Sequence, residues 1–189
     1  MNKKDEIINA CIHLISQKGL DLSSMQNIAT EVGLTKSTLY FYFDSKDSLL
    51  KEVYNYCHDR DALACNEGIA ECNGAIEKLL KRFENIIAYA MNNTDMAKVE
   101  GIFEVAPQFQ NEVANAHKDF LNDILSIVEE GVENKEIKEM PSWLLAQTYF
   151  GFCEVMYKRF IANPELWEDE SIKTYCKEII INILKKEEN

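Results

Sequence analysis

The stretch that decides the fold is GLTKSTLYFYFDSKDSLL, residues 33–50. Its opening glycine can end one short helix, and Thr35 can cap the next, because a threonine hydroxyl accepts a hydrogen bond from the first helical turn. In that next helix Leu39 and Phe43 are spaced to face inward. The segment therefore predicts a short helix with an apolar inner side and a small polar first turn, formed by Lys36, Ser37 and Thr38.

Two helices are predicted before this stretch. The first ends at Gly19, since glycine after a lysine is a common helix stop. Its apolar residues recur at helical spacing: Ile7, Ile8, Cys11, Ile12, Leu14 and Ile15. The hydroxyl pair Ser23-Ser24 can cap the second helix, which is about two turns long and ends at Gly33. Its expected buried face consists of Met25, Ile28, Ala29 and Val32.

The rest of the chain is also expected to be helical, because it contains few glycines and prolines and many helix formers. Ser45 can cap a fourth helix that extends to about Asn73-Gly74. Its apolar side is formed by Leu49, Leu50, Val53, Tyr54, Cys57, Leu63 and Ile69. Five more helices are expected at about 75–91, 95–104, 108–132, 141–161 and 168–187, between Asn, Gly and Pro breaks.

Composition limits the class of protein. A hydrophobic content of 47% is enough for a buried core. The six cysteines lack C-x-x-C spacing, so a zinc site or a disulfide framework is not expected. The first residues lack the apolar run of a signal peptide, and the expected location is the cytoplasm.

Net charge is distributed unevenly along the chain. Six lysines and seven acids give residues 1–52 a charge of −1, which leaves −11 of the total −12 for the rest. The acidity therefore belongs to the region after residue 52. Lysines in the first region can still neutralise phosphates, because charges farther than roughly 8–10 Å are screened at physiological salt.

Two short helices joined by a glycine turn form a helix-turn-helix arrangement. Free N–H groups at helix starts, here near Ser24 and Thr35, can meet phosphates. Short side chains on the first turn of the second helix allow that helix to lie deep in the major groove of DNA.

From Ile7 to Val53 the chain resembles the N-terminal DNA-binding domain of the TetR family of transcriptional regulators. The helices expected from the sequence make an all-α fold of about nine helices, and the resemblance implies how this fold divides into domains. In it a three-helix DNA-binding domain, residues 1–52, precedes a helical effector-binding and dimerisation domain, residues 53–189. The matching motifs are Lys18-Gly19, Ile28-Ala29, Val32-Gly33-Leu34, Leu39-Tyr40-x-Tyr42-Phe43 and Ser45-Lys46-Asp47-x-Leu49-Leu50. The chain departs from the family pattern at Ser37, where glycine is common, and at Met25.

The resemblance also implies which residues contact DNA. Side chains that enter the major groove are Thr35, Lys36, Ser37 and Thr38. Side chains that touch the phosphate backbone are Tyr40, Tyr42 and Lys46. Further contacts to the backbone and bases come from Ser24 and Gln26 at the start of the second helix.

Aromatic residues of the second region could line an effector cavity, although most large apolar residues must simply form the core. The candidates are Phe83, Tyr89, Phe103, Phe109, Phe120, Tyr149 and Phe152. The effector itself is not identified by any motif. The acidity of this region favours a cationic or a neutral apolar compound.

The last two long helices are unusually apolar for surface helices. Their faces suggest a four-helix bundle made with a second copy of the chain, as the family resemblance also implies. The expected dimer interface contains Tyr149, Cys153, Met156, Phe160, Tyr175, Ile179 and Ile183.

The function that follows is a ligand-responsive transcriptional regulator, a repressor released from a palindromic operator by a small molecule. No catalysis, cofactor or metal is expected. Two alternatives stay open, a helical enzyme and an interaction module that has lost DNA binding. Cys57, Cys65 and Cys72 could sense oxidation, but packing is favoured for them because free cysteines are usually buried.

Overall fold

The computed structural model describes residues 2–22 and 24–186, and this part of the chain is helical without a β-strand. Two 3-10 turns, Ile69–Glu71 and Pro107–Phe109, lie between longer elements. The described α-helices are α1 (Lys3–Leu22), α2 (Met25–Glu31), α3 (Lys36–Tyr42), α4 (Lys46–Cys65), α5 (Ala75–Asn92), α6 (Thr94–Glu104), α7 (Gln110–Glu133), α8 (Ser142–Ala162), α9 (Glu165–Glu168) and α10 (Glu170–Leu184). The all-α prediction is confirmed.

The N-terminal helices begin and end close to the predicted positions. Gly19 interrupts α1 with a φ of 75°, and Gly33 turns the chain between α2 and α3 with a φ of 64°. Ser24 Oγ accepts a hydrogen bond from the N–H of Asn27, as expected for the cap of α2. Its neighbour Ser23, the other half of the predicted hydroxyl pair, lies outside the described residues.

The predicted extent of the fourth helix is wrong, and a short helix near the end of the chain was not predicted. The fourth helix ends at Cys65 rather than near residue 73, because Gly68 adopts a left-handed conformation that ends helical geometry. Leu63, which was assigned to its buried side, is exposed. After Pro164 the chain forms the four-residue α9, which is too short to give a periodic signal in the sequence.

The chain divides into two compact units. The first contains the residues up to Arg60 together with Asn93–Asn115. Within it α2 packs against α1 and α3, and α6 packs against α1. The predicted apolar face of α1 is confirmed, since all six of its residues are buried; in α2, Val32 is only half-buried.

The second unit contains Asp61–Asn92 and the chain from Ala116 onward. Here α5 packs against α8 and α10, and α8 packs against α10. The hydroxyl of Tyr149 on α8 donates a hydrogen bond to the carbonyl of Leu79 on α5 at 2.7 Å, which joins the two helices inside the core.

The start of α5 is capped by a carboxylate from a distant part of the sequence. Glu136 accepts hydrogen bonds from the N–H groups of Ala75, at 2.7 Å, and Ile76, at 2.8 Å. Gly74 leaves room for this carboxylate, since a Cβ at that position would lie 2.7 Å from Glu136 Oε2. The cap fixes where α5 begins and satisfies two N–H groups that the helix cannot pair itself.

Within the two described ranges, none of the helices has the combination of length and apolar composition that a membrane crossing requires.

Candidate DNA-binding surface and effector unit

The second helix of the helix-turn-helix, α3, is fixed at both ends and on its inner side. Thr35 Oγ1 accepts a hydrogen bond from the N–H of Thr38 at 3.1 Å and lies 2.8 Å from the Thr38 hydroxyl. Leu39 and Phe43 are buried, as predicted. The helix is therefore held by its cap and its apolar side, and its outer side is left to solvent.

The nine predicted DNA-contacting residues lie on three consecutive elements, α2, α3 and the start of α4. The exposed ones are Gln26, Thr35, Lys36, Ser37, Tyr40 and Tyr42. The half-buried ones are Ser24, Thr38 and Lys46. Ser24, Thr35 and Thr38 already use their hydroxyls in caps, so their side chains are pre-positioned by local hydrogen bonds.

Lys36 and Tyr40 interact one helical turn apart on the outer side of α3. The Nζ of Lys36 lies 5.9 Å from the centre of the Tyr40 ring, within the range of a cation–π contact. The charge of Lys36 is thus held beside an exposed phenol at the surface of α3.

Lys46, which was predicted to contact the phosphate backbone, also makes a contact within the protein. Its Nζ donates a hydrogen bond to the carbonyl oxygen of Leu20 at 2.8 Å. This contact ties the start of α4 to the chain segment just after the Gly19 interruption. An ammonium group has three N–H donors, so two remain for another acceptor.

Phe41 is a surface residue that sequence reasoning missed. It is 82% exposed and packs edge-on against Tyr42, with ring centres 5.4 Å apart. It lies four residues after Ser37 and therefore on the same face of α3. That spacing was the available signal, because an exposed phenylalanine next to predicted contact residues has no role in the core.

Five of the predicted effector residues lie in the second unit. Phe83 and Tyr149 are fully buried, and Phe152 packs on Phe83 with ring centres 5.9 Å apart. Tyr89 and Phe120 are half-buried. Phe83, Phe120, Tyr149 and Phe152 belong to the hydrophobic core of this unit.

The other two predicted effector residues, Phe103 and Phe109, belong to the first unit. Their ring centres are 4.7 Å apart, and Phe103 packs on Tyr54 at 5.3 Å. Both are buried there because they fill the core of that unit. For these two residues, as for the five of the second unit, the effector role stays a prediction.

The predicted dimer interface needs correction at the residues that the protomer itself buries. Tyr149, Cys153 and Phe160 are buried within a single protomer, so they are not available to a partner, and Met156 and Ile183 are half-buried. Tyr175 and Ile179 are exposed, as the prediction requires. Further large apolar side chains are exposed on α8: Trp143, Leu144 and Val155.

The buried thiols are poor nucleophiles. Burial raises the pKa of Cys11 and of Cys153 to about 12. A thiol whose pKa is this high carries almost no thiolate at neutral pH. This is consistent with a packing role for the buried cysteines.

Arg82 is a second feature that the sequence did not reveal. It lies on α5 in the second unit and is fully buried, although it occurs in an ordinary amphipathic pattern. A single arginine in such a helix normally extends its charged end to solvent. Only the packing of α5 shows that it does not.

Comparisons with known proteins agree with the N-terminal assignment. The model of the TetR family of bacterial regulatory proteins matches residues 7–53. The fatty acid metabolism regulator protein of Bacillus subtilis (strain 168) is 23% identical over 181 residues, which are 94% of this chain and 93% of that protein. The biofilm operon icaADBC negative regulator IcaR of Staphylococcus aureus (strain Newman) is 41% identical over 56 residues, only 30% of either chain.

Solved structures share the fold over almost the whole chain. FadR from Bacillus subtilis in complex with stearoyl-CoA has a TM-score of 0.84 at 22% identity, covering 95% of this chain and 98% of FadR. A TetR family regulator from Marinobacter aquaeolei VT8 has a TM-score of 0.77 at 19% identity, covering 98% and 96%. These relatives are regulators rather than enzymes, and the resemblance noted from the sequence is confirmed. The N-terminal part of the chain, residues 7–53, thus matches the TetR family of bacterial regulatory proteins, and the chain shares the fold of a TetR family regulator over nearly its full length.

Proposed function

We propose that this protein is a homodimeric, cytoplasmic repressor that binds a palindromic operator and is released by a small molecule. The observation that carries the proposal is the outer side of α3, where Lys36, Ser37 and Phe41 are exposed while Leu39 is buried beneath them. A short helix presented in this way suits the major groove. Residues 1–52 would form the DNA-binding domain.

The outer side of α3 offers two kinds of contact. Lys36 can bind the acceptors of guanine, Ser37 can reach either kind of base edge, and Phe41 can pack on a thymine methyl group. Tyr40, Tyr42 and the two remaining N–H donors of Lys46 suit phosphate oxygens. Phosphate contacts position the helix, and base contacts read the sequence. Gln26, exposed on α2, would add to either set.

A second copy would supply the other half-site. The exposed apolar side chains of α8 and α10 form the face we assign to the dimer, with Val155, Tyr175 and Ile179 at its centre. Packing two copies through these helices would give a four-helix bundle. Such a dimer matches an operator whose half-sites are about 34–36 Å apart, one turn of the duplex.

The second domain, residues 53–189, would bind the effector. FadR from Bacillus subtilis, which shares the fold, holds stearoyl-CoA. A long-chain acyl compound of this kind is therefore the effector class we propose. An effector that favours the DNA-free conformation by about 1.4 kcal/mol lowers operator affinity tenfold.

A gel-shift experiment with DNA from upstream of the protein's own gene tests the proposal. The wild type should give a site-specific shift that weakens as salt rises. Lys36→Ala should weaken binding and reduce the slope of log affinity against log salt by about one. Lys118→Ala, which removes the same charge from an exposed position on α7, is the matched control and should leave the slope unchanged. The proposal fails if the wild type gives no salt-sensitive, site-specific shift.

A further inference from the structure

Arg82 is the buried charge of the second unit. Its exposure is 0%, and among the residues that the structure describes it is the buried side chain that carries a charge. Removing a guanidinium from water costs several kcal/mol unless its N–H groups are paired, so the partners of Arg82 decide whether it is satisfied.

The protein satisfies only part of this guanidinium. Nη1 donates a hydrogen bond to Asn66 Oδ1 at 2.6 Å, and the Phe120 ring centre lies 4.3 Å from Cζ. Nη2 lies 3.5 Å from a carboxylate oxygen of Asp123, without hydrogen-bond alignment. Nε has no acceptor within the described ranges. The Asp123 side chain is 56% exposed, so water weakens its attraction for the guanidinium.

A second carboxylate, Asp61, lies near enough to interact with Arg82 electrostatically. Burial raises the pKa of Asp61 to about 6, while the thiol of Cys65 and the charge of Arg82 act in the opposite direction. Asp61 Oδ1 accepts the contact from Cys65 Sγ at 3.6 Å rather than a hydrogen bond from Arg82. The Asp61 carboxylate therefore balances part of the charge of Arg82, but it accepts no hydrogen bond from Nε or Nη2.

The two unpaired groups form one edge of the guanidinium. The Nε–H and one Nη2–H point in parallel, at the spacing of the two oxygens of a carboxylate or phosphate. Asp123 lies 3.5 Å from the Nη2 end of this edge, and the ring of Phe120 packs on the guanidinium. Phe120 in turn packs edge-on with Phe150. The nearby hydroxyl of Tyr149 is already engaged with the carbonyl of Leu79.

We infer that Arg82 binds the carboxylate or phosphate group of an amphipathic small molecule whose apolar part packs among the aromatic residues of the second unit. The inference rests on the proposal that this unit binds an effector, and it names the chemical group by which the effector is held. It also reverses the expectation from net charge. The acidity of the second region favoured a cationic or neutral compound, whereas the buried charge that a ligand meets is positive.

The position of Arg82 also links the ligand to the end of α4. Asn66, the partner of Nη1, follows α4 directly. Asn85, on the same helix as Arg82, donates hydrogen bonds to the carbonyls of Cys65 and Glu67. An anion bound to the free edge of Arg82 would therefore act on the side chain that binds Asn66 at the end of α4. The other end of α4 begins at Lys46, immediately after the helix-turn-helix.

The test uses the full-length protein and four probes: palmitate, palmitoyl-CoA, coenzyme A and the neutral hexadecanol. Dissociation constants are measured by calorimetry, and operator release is measured separately by fluorescence anisotropy of labelled DNA. Arg82→Met removes the charge at similar volume, and Arg82→Lys keeps the charge but loses the paired N–H edge. Lys81→Met, one residue away, is the matched control for the loss of one positive charge.

We expect Arg82→Met to raise the dissociation constant of the anionic probe that binds the wild type by about tenfold or more, since charge-assisted hydrogen bonds are lost. Arg82→Lys should weaken binding of the same probe by a smaller factor. Lys81→Met should change the dissociation constant of this probe less than about twofold, and the Arg82 variants should change that of hexadecanol equally little. Palmitate binding identifies a carboxylate as the bound group, and coenzyme A binding identifies a phosphate. If Arg82→Met does not fold, the loss in Arg82→Lys decides the question.

Three results would overturn the inference. One is that no anionic probe binds the wild type. Another is that the Arg82 variants bind the anion as tightly as the wild type. The third is that they lose hexadecanol and the anion equally, which would make Arg82 a packing residue. In all three cases a wild type that still binds its operator leaves the proposed repressor intact, whereas loss of operator binding alone would count against the repressor and not against Arg82.

Discussion

The Nζ of Lys46 donates a hydrogen bond to the carbonyl oxygen of Leu20, 2.8 Å away. The bond joins two segments that are 26 residues apart and holds α4 against the end of α1. Lys46 therefore has a structural part in the first unit in addition to its proposed contact with phosphate.

Lys46→Ala should both destabilise the protein and weaken operator binding. The loss of a partly buried, charge-assisted hydrogen bond should lower the free energy of unfolding by about 1 kcal/mol. The slope of log affinity against log salt should also fall by about one. Urea denaturation and salt titrations measure the two effects. Lys36→Ala is the comparison, because it should change the slope without the loss of stability; equal stability in both variants would contradict the structural part assigned to Lys46.

Gly33→Ala should destabilise the turn between α2 and α3. The φ of Gly33 is 64°, and an added Cβ would meet nothing within 4 Å, so the cost is backbone strain of about 1 kcal/mol. Gly101→Ala is the opposite case, because Gly101 lies inside α6 with equally open space around it. That change should stabilise by about 0.5–1 kcal/mol. Chemical denaturation of the two variants should show shifts of opposite sign.

Asp61 should make the protein less stable as pH rises from about 4 to about 6. Burial raises its pKa from 3.8 to about 6 in the folded state, so over this range the folded chain binds more protons than the unfolded chain. Below this range the carboxyl is protonated in both states and contributes nothing. The destabilisation is complete above pH 6.

Asp61→Asn should remove this dependence. The free energy of unfolding of the variant, relative to wild type, should rise by about 1–3 kcal/mol between pH 4 and pH 7. Denaturation curves at several pH values measure the difference, and Asp59→Asn, at an exposed position on the same helix, controls for the loss of one charge. A difference that is flat across this range would show that the pKa of Asp61 is not raised in the folded protein.

Val155→Arg should convert a dimer into a monomer at micromolar concentration. Val155 is 66% exposed on α8, within the face that we assign to the second copy, and an unpaired buried charge there costs about 3–5 kcal/mol. Sedimentation velocity measures the change. Val105→Arg, which adds the same group at a position that is 79% exposed in the first unit, should leave the dimer intact. If both variants sediment as the wild type does, the dimer face lies elsewhere.

Local features of the fold could be read from the sequence. The caps at Ser24, Thr35 and Ser45 are formed by neighbouring residues, and the Ser45 hydroxyl indeed accepts from the N–H of Ser48 at 3.0 Å. Apolar spacing likewise identified the buried side of α1. These signals act over a few residues, and so they are present in any short window of sequence.

Features that depend on distant segments could not be predicted. The bond between Lys46 and Leu20 and the contact between Arg82 and Asn66 both join different elements. Tyr149 and Phe160 were expected to be buried by a second copy of the chain, but they are buried within one protomer. An apolar helix face has the same sequence pattern in both cases. Only the packing of α5 and α10 against α8 distinguishes the two cases.

The Glu136 cap on α5 has a consequence for biosynthesis. Ala75 and Ile76 donate their N–H groups to a carboxylate that is translated some sixty residues later, at separations of 61 and 60. During synthesis the first turn of α5 therefore lacks the Glu136 carboxylate until the whole of α7 has been translated. A nascent chain stalled before this point would expose an incomplete second unit to chaperones and proteases, while α2 and α3 already have their local caps.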